Sequence, residues 1–351
     1  MIDGVRRILL VDLLGGLGDL IMVLPSVHAL ADAHPGAELT VLTHAASVPL
    51  LARDPAVAAV RTAEKHDERA AVEQALADLA PDLTVTTTRF DGIGDLVEAD
   101  AAARGTRAVA NLWRRPPPDE LVGERYQRIL AAEGVIADEV RPPRVVLGDD
   151  ERAAGREALV QALRPRLQPT PGSPQPREDD TQRRGAAAPE TAPRPAPTVL
   201  VPDAGMAVKR WPARRWAELA ASLPGPVLSV GPVAGADELP PTDLRGLAAL
   251  FAAVGEAGGT VVGPDTGPVR LAAAVGARTV ALFGPTAASR YGLEEGTNLQ
   301  GLPACPHRMA TAITEQVCWW DAGCPLAPEP ACLLDLSVSR VRERVTAVRT
   351  G

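Results

Sequence analysis

The sequence predicts an α/β protein of two Rossmann-like, doubly wound domains facing each other across a cleft. Three observations predict it. Strand-like and helical patterns alternate through both halves of the chain, as parallel sheets covered by helices require. A glycine-rich turn follows a strand in each half, where doubly wound sheets take their ligands. Between the halves, Arg164 to Pro197 (RPRLQPTPGSPQPREDDTQRRGAAAPETAPRPAP) holds nine prolines and almost no large apolar side chain. Such a stretch cannot bury enough surface to offset its ordering entropy. Residues 164–197 therefore read as a disordered linker or long surface loop, with passive connection favoured over specific docking. The predicted domains are 1–163 and 198–351.

The elements follow in order. In the first half, RILLVD (7–12) is a buried-strand run, the glycine loop 13–18 follows, and a helix runs from about Asp19 to His34, stopped by Pro35-Gly36. Strand 38–43, helix 46–53, strand 57–61, helix 68–79 and strand 83–87 continue the alternation. In the second half, strands at 198–201, 227–230, 260–262 and 279–283 alternate with helices near 213–222, 244–257 and 269–275. A last helix, 337–348, is expected to pack back across a domain.

Composition excludes several classes. With 46% hydrophobic and 23% charged residues the chain is globular, and with 3% aromatics its cores must rest on Ala, Val and Leu. A net charge of −8 argues against a nucleic-acid surface. No apolar run reaches the roughly 18 residues of a membrane span. The N-terminus superficially suggests a signal peptide, but Asp12 interrupts the apolar stretch and no small-residue cleavage site follows before Asp19. A first strand is the better reading, and with it a cytoplasmic protein.

Three segments carry chemistry. In Gly263–Thr286 a strand breaks on Gly263-Pro264-Asp265-Thr266-Gly267 and opens an alanine-rich helix. Backbone N–H groups and the helix dipole there make a site for phosphate or another anion, and Arg270 lies on the first turn. An ordinary βαβ crossover would look the same. In LLGGLGDL, Gly15, Gly16 and Gly18 allow a sharp turn and close approach of a ligand, but the pattern is not a complete G-x-G-x-x-G and no acid closes the second strand, so NAD is not indicated. Asp19 at the helix start reads first as a cap. In VKRWPARRWAEL, Lys209 and Arg210 precede Trp211-Pro212, where Pro can start a helix. These cations either face the cleft and neutralise a diphosphate or form a solvated face.

These segments together resemble glycosyltransferase family nine, the heptosyltransferase-like enzymes. The matching features are RILLVDLLGGLGDLIMVLPSVHAL, HPGAELTVLT, PLLARDPAVAAV, VKRWPARRWAELA and GPDTGPVRLAAAVGARTVALFGPT. The resemblance spans most of both halves, omits the linker and is thin from Thr88 to Arg156. It implies a GT-B fold, an acceptor side in the first half and a nucleotide-sugar side in the second. It implies inverting transfer of a sugar, typically heptose from an ADP-linked donor, to a hydroxyl, with no cofactor and no metal. Asp19 falls on the family's general base and Lys209 on its phosphate-contacting Lys. Asp265, Thr266 and Gly267 fall on the D-[ST]-G turn, with Asp265 near the donor sugar and Thr266, Gly267 and Pro268 beside the diphosphate.

The chain departs from the family at several points. Arg270 stands where the family usually has His; it can bind phosphate but cannot titrate near neutral pH. Ala204 and Gly205 replace hydroxyl residues of the preceding loop. Asp237 or Glu238 could reach the ribose, in a segment that looks shortened. Cys305, Cys318, Cys324 and Cys332, with His307 among them, lie in the last 50 residues at spacings that lack a C-x-x-C knuckle. Free thiols, disulfides or an irregular zinc site all remain open. Arg53, Arg89 and Arg107 are candidate anion contacts on the acceptor side. The acceptor, a cell-envelope glycan or another molecule, is not named by the sequence, and contact with the inner membrane face has no basic amphipathic helix to support it. The alternative function is a non-catalytic nucleotide-sugar-binding protein of the same fold.

Overall fold

The computed structural model describes residues 4–164, 196–321 and 323–347. Nearly all of the Pro-rich linker read from the sequence thus lies outside the described residues. The first half runs β1 (Arg7–Val11), α1 (Leu17–Ala33), β2 (Glu38–His44), α2 (Val48–Leu51), β3 (Ala59–Ala63), α3 (Glu68–Leu79), β4 (Leu83–Thr86), α4 (Ile93–Arg104), β5 (Arg107–Val109), α5 (Val122–Ala132) and α6 (Asp149–Ala162). The second runs β6 (Thr198–Leu200), α7 (Ala213–Ser222), β7 (Val227–Ser229), β8 (Asp237–Glu238), α8 (Leu244–Glu256), β9 (Thr260–Pro264), α9 (Gly267–Ala274), β10 (Arg278–Phe283), α10 (Ala288–Tyr291), β11 (Thr297–Gln300), α11 (Ala331–Leu334) and α12 (Val338–Ala347).

Each half is built on a parallel sheet, ordered β3-β2-β1-β4-β5 in the first and β11-β10-β9-β6-β7-β8 in the second. Both orders reverse direction once, between β1 and β4 and between β6 and β9. Loops leaving the carboxyl ends of those strands border a crevice where this architecture binds ligands. The central strands β1, β4, β6 and β9 are buried along nearly their whole length because both faces are covered. Leu9 and Val11 face α3 and α4, while Ile8 and Leu10 join the large core that also holds α1 and α5. In the second sheet Val199 and Val261 face that same large core, and Leu200 and Val262 face α7 and α12. A single apolar core thus runs between the sheets.

The last helix packs back across a domain as the sequence predicts: Val341 and Val345 of α12 pack with Trp211 and Trp216 of the second half. The helix that crosses between the halves is α6, which follows the first half in sequence but packs along α8. Gly155 permits this, since a Cβ there would lie 2.2 Å from the carbonyl oxygen of Ala249. Glu151 secures the contact by accepting from Arg245 Nε at 2.7 Å.

Candidate active site

The loop after β1 positions the first group. Gly15 takes φ +113°, a conformation that favours glycine. Gly16 is the N-cap of α1, and Asp19, two positions into the helix from Leu17, turns its carboxylate back to accept from the Gly16 N–H at 3.0 Å. Any Cβ on Gly16 would sit 2.8 Å from that carboxylate oxygen. Gly18 makes room for the Arg270 side chain, whose Cδ would lie 3.3 Å from a Cβ there. The three glycines therefore serve a tight turn, the Asp19 carboxylate and a residue of the other half.

The second half supplies charge to the same place. Trp211 is an anchor: it is buried edge-on against Trp216, and its indole N–H donates to the Leu336 carbonyl at 3.1 Å. That fixes the short turn bearing Lys209, whose Nζ donates to Asp265 Oδ2 at 2.9 Å and stands 5.3 Å from the centre of the Trp319 ring. Asp265 closes β9, and its other oxygen accepts from Arg270 Nη2 at 2.7 Å. Burial alone would raise the Asp265 carboxyl, but Lys209 and Arg270 hold it well below the usual carboxylate range. Thr266, Gly267 and Pro268 open α9 and are partly exposed. Gly267 lies against Leu17, so the starts of α1 and α9 abut.

Asp19 lies within the field of this group. Burial pushes its carboxyl up, against the Gly16 N–H and the charges of Arg270 and Lys209. A raised carboxylate is a better proton acceptor. Behind it stands Asp12, a group that sequence reasoning used only to exclude a signal peptide. Asp12 is buried at the end of β1 and accepts from the Thr87 hydroxyl at 3.1 Å. Burial and then the Asp19 charge push it up to about 7. An acid closing a buried strand run was the available signal.

Asp19, Lys209, Asp265 and Arg270 are thus brought together. Arg270 is largely committed: it is 5% exposed, and its Nη2 also donates to the Tyr291 carbonyl. Arg210 pairs with Asp203. Asp237 and Glu238 are not brought to this group; they form the exposed edge strand β8 and line a cavity of about 880 Å3 bordered also by α6, α8 and the segment 239–243. Each acceptor-side arginine has a carboxylate partner: Arg53 pairs with Asp150 and Glu151, Arg89 with Asp95, Arg107 with Glu133. Cys305, Cys318, Cys324, Cys332 and His307 line one small cavity, and all four thiols are free. Among the described residues no three His, Cys, Asp or Glu side chains are arranged to hold a metal ion.

Residues 233–302, which include Asp265, Arg270 and the turn between them, match the model of glycosyltransferase family 9 (heptosyltransferase). The chain resembles glycosyltransferase family nine. Among solved structures, a family 9 glycosyl transferase from Veillonella parvula is similar with a TM-score of 0.70 at 16% identity, over 99% of this chain and 98% of that one. The ADP-heptose lps heptosyltransferase II of E. coli gives 0.63 at 18% identity, over 98% of both chains. The E. coli heptosyltransferase WaaC with ADP gives 0.56 at 17% identity, over 89% of this chain and 98% of that one. These likenesses establish the GT-B fold. No curated protein matches the chain by sequence.

Proposed function

We propose that the chain is an inverting, metal-independent glycosyltransferase that moves a heptose-like sugar from an ADP-linked donor to a hydroxyl of a cell-envelope glycan or related acceptor. The observation that carries this reading is the convergence of a raised carboxylate, Asp19, with Lys209, Asp265 and the start of α9 from the other half. The family-nine match and the ADP-linked heptosyltransferases of the same fold support the donor class.

Asp19 takes the proton of the acceptor hydroxyl as its oxygen attacks the anomeric carbon. The bond to the diphosphate breaks on the opposite face, and the configuration inverts. Lys209 exchanges Asp265 for the departing diphosphate, joined by Thr266, Gly267 and the dipole of α9. Asp265, released on one side and still held by Arg270, is free to accept from a donor-sugar hydroxyl. Arg270 acts here through Asp265 more than on phosphate directly. Asp237 and Glu238 keep a ribose role only if the nucleoside extends to β8. No helix among the described residues is long and apolar enough to cross a membrane, so a membrane-held acceptor would be met at the surface.

The test is thermal stabilisation by ADP-, GDP-, UDP- and dTDP-sugars, followed by turnover. ADP-heptose should stabilise the parent, and Lys209→Ala should remove the effect. Asp19→Asn should keep donor binding and lower turnover by about 10²–10⁴-fold. Parent-level turnover in Asp19→Asn would end the base assignment. Donor binding with no sugar consumption by the parent would favour the non-catalytic nucleotide-sugar-binding alternative.

A further inference from the structure

Arg290 is a large, fully buried, charged side chain that the proposed reaction leaves unused. It sits, at 0% exposure, on the short α10 helix of the second half. Its Nη1 donates to the carbonyls of Pro117 at 3.2 Å and Glu120 at 3.4 Å, both in the first-half segment between β5 and α5. The guanidinium carbon stands 4.6 Å from the centre of the Trp113 ring, on the same segment. Beside it the Ser289 hydroxyl donates to the Pro118 carbonyl at 2.9 Å. Glu294 completes the contact: its carboxylate reaches the first turn of α5, where a Cβ on Gly123 would lie 2.7 Å from it. Residues 289–294 thus grip the first half from Trp113 to Gly123.

The grip is tied to the donor group by one residue. Tyr291, next to Arg290, offers its carbonyl to Arg270 Nη2, the same nitrogen that holds Asp265. Asp265 in turn holds Lys209. A continuous chain of bonds therefore runs from Lys209 through Asp265, Arg270 and α10 to the first-half wall. The guanidinium also interacts with the Tyr291 side chain, whose ring centre lies 5.9 Å from its carbon. Burying a guanidinium carries a desolvation cost, and burial lowers the pKa of Arg290.

We propose that Arg290 is a positioning residue that transmits occupancy of the donor site to the wall formed by Trp113–Gly123. This rests on the reading of Lys209 and Asp265 as a diphosphate site. When a diphosphate takes Lys209 from Asp265, the Asp265–Arg270 pair and α10 readjust, and Arg290 carries the change to Pro117 and Glu120.

The probe is ADP, and the readout is amide hydrogen exchange of residues 113–123 with and without it. In the parent, saturating ADP should change exchange in this segment at least about threefold. Arg290→Met keeps the volume and removes the buried charge, and buried ions replaced by apolar side chains are often tolerated. It should leave the ADP dissociation constant within about threefold and the unfolding temperature unlowered, yet abolish the response of 113–123. Arg290→Lys should retain part of the response. Should Arg290→Met prove unstable, Ser289→Ala, which removes only the Pro118 bond, should still weaken the response. An undiminished response in Arg290→Met, or none in a parent that binds ADP, overturns the positioning role alone. A parent that binds no ADP overturns the donor-site reading and this proposal with it.

Discussion

Asp12 and Asp265 are two buried carboxylates with opposite titration behaviour, and the difference lies in their neighbours. Burial, and then the Asp19 charge, outweigh the Thr87 hydroxyl and Leu14 amide that favour the Asp12 carboxylate, so it holds its proton to about pH 7. The native state then binds more protons than the unfolded chain between about pH 4 and 7, and stability falls as pH rises through that range. Asp12→Asn keeps an acceptor for Thr87 and removes this loss. Thermal unfolding should show a gain on the order of 2–4 kcal/mol at pH 8 and none near pH 4; equal gains at both would refute the assignment. Asp265 has two cations and stays ionised far below its unfolded value. Its contribution is full above about pH 4 and is lost as pH falls further. Asp265→Asn should cost about 3–5 kcal/mol at neutral pH in urea unfolding, as when a buried ion pair loses one partner. A loss under 1 kcal/mol would mean that water already replaces Asp265 beside Lys209.

At the scale of elements, α3 and α7 fall where helical periodicity put them, and β1 and β6 begin as read. β3 begins two residues later than expected, because pairing with β2 rather than residue preference sets its register. α4, α5 and α6 were not read at all. The sequence there is rich in Ala, Arg and Glu, and the resemblance is thinnest. The site was legible in part. Asp19, Lys209 and Asp265 stood out through motif spacing. Arg290 did not, since its partner Pro117 lies 173 residues away and no local pattern marks a buried guanidinium. The glycines were legible as glycines but not by purpose, because Gly18 and Gly155 are defined by what approaches them from elsewhere. Gly155→Ala should cost about 1–3 kcal/mol through overpacking of α6 against α8. The same change at Gly134, which has open space around it but φ +72°, would be felt only as backbone strain. A destabilised Gly155→Ala whose α6 amides exchange no faster than in the parent would locate the strain outside the α6–α8 contact.

For the whole molecule, the decisive fact is that the two sheets share one core and one ion network rather than touching at a polar seam. Arg53, Glu151 and Arg245 link the first half, α6 and α8, while the starts of α1 and α9 meet at Leu17 and Gly267. Chelation tests the chemistry at this scale: if catalysis rests on fixed protein charges, turnover should be unchanged, within about twofold, by excess EDTA. A tenfold loss restored by one divalent ion would require a metal in the mechanism.

The placement of α6 has a consequence for the chain as a piece of engineering. A break anywhere in residues 165–195 leaves α6 on the first fragment while its packing partner α8 sits on the second. The fragments then carry a ready-made clasp. After a single proteolytic cut there, the two pieces should co-elute on size exclusion under native conditions and separate only in denaturant. A cut before α6, near Pro143, would have no such clasp. A chain divided within residues 165–195 should therefore hold together as a complex of its two fragments.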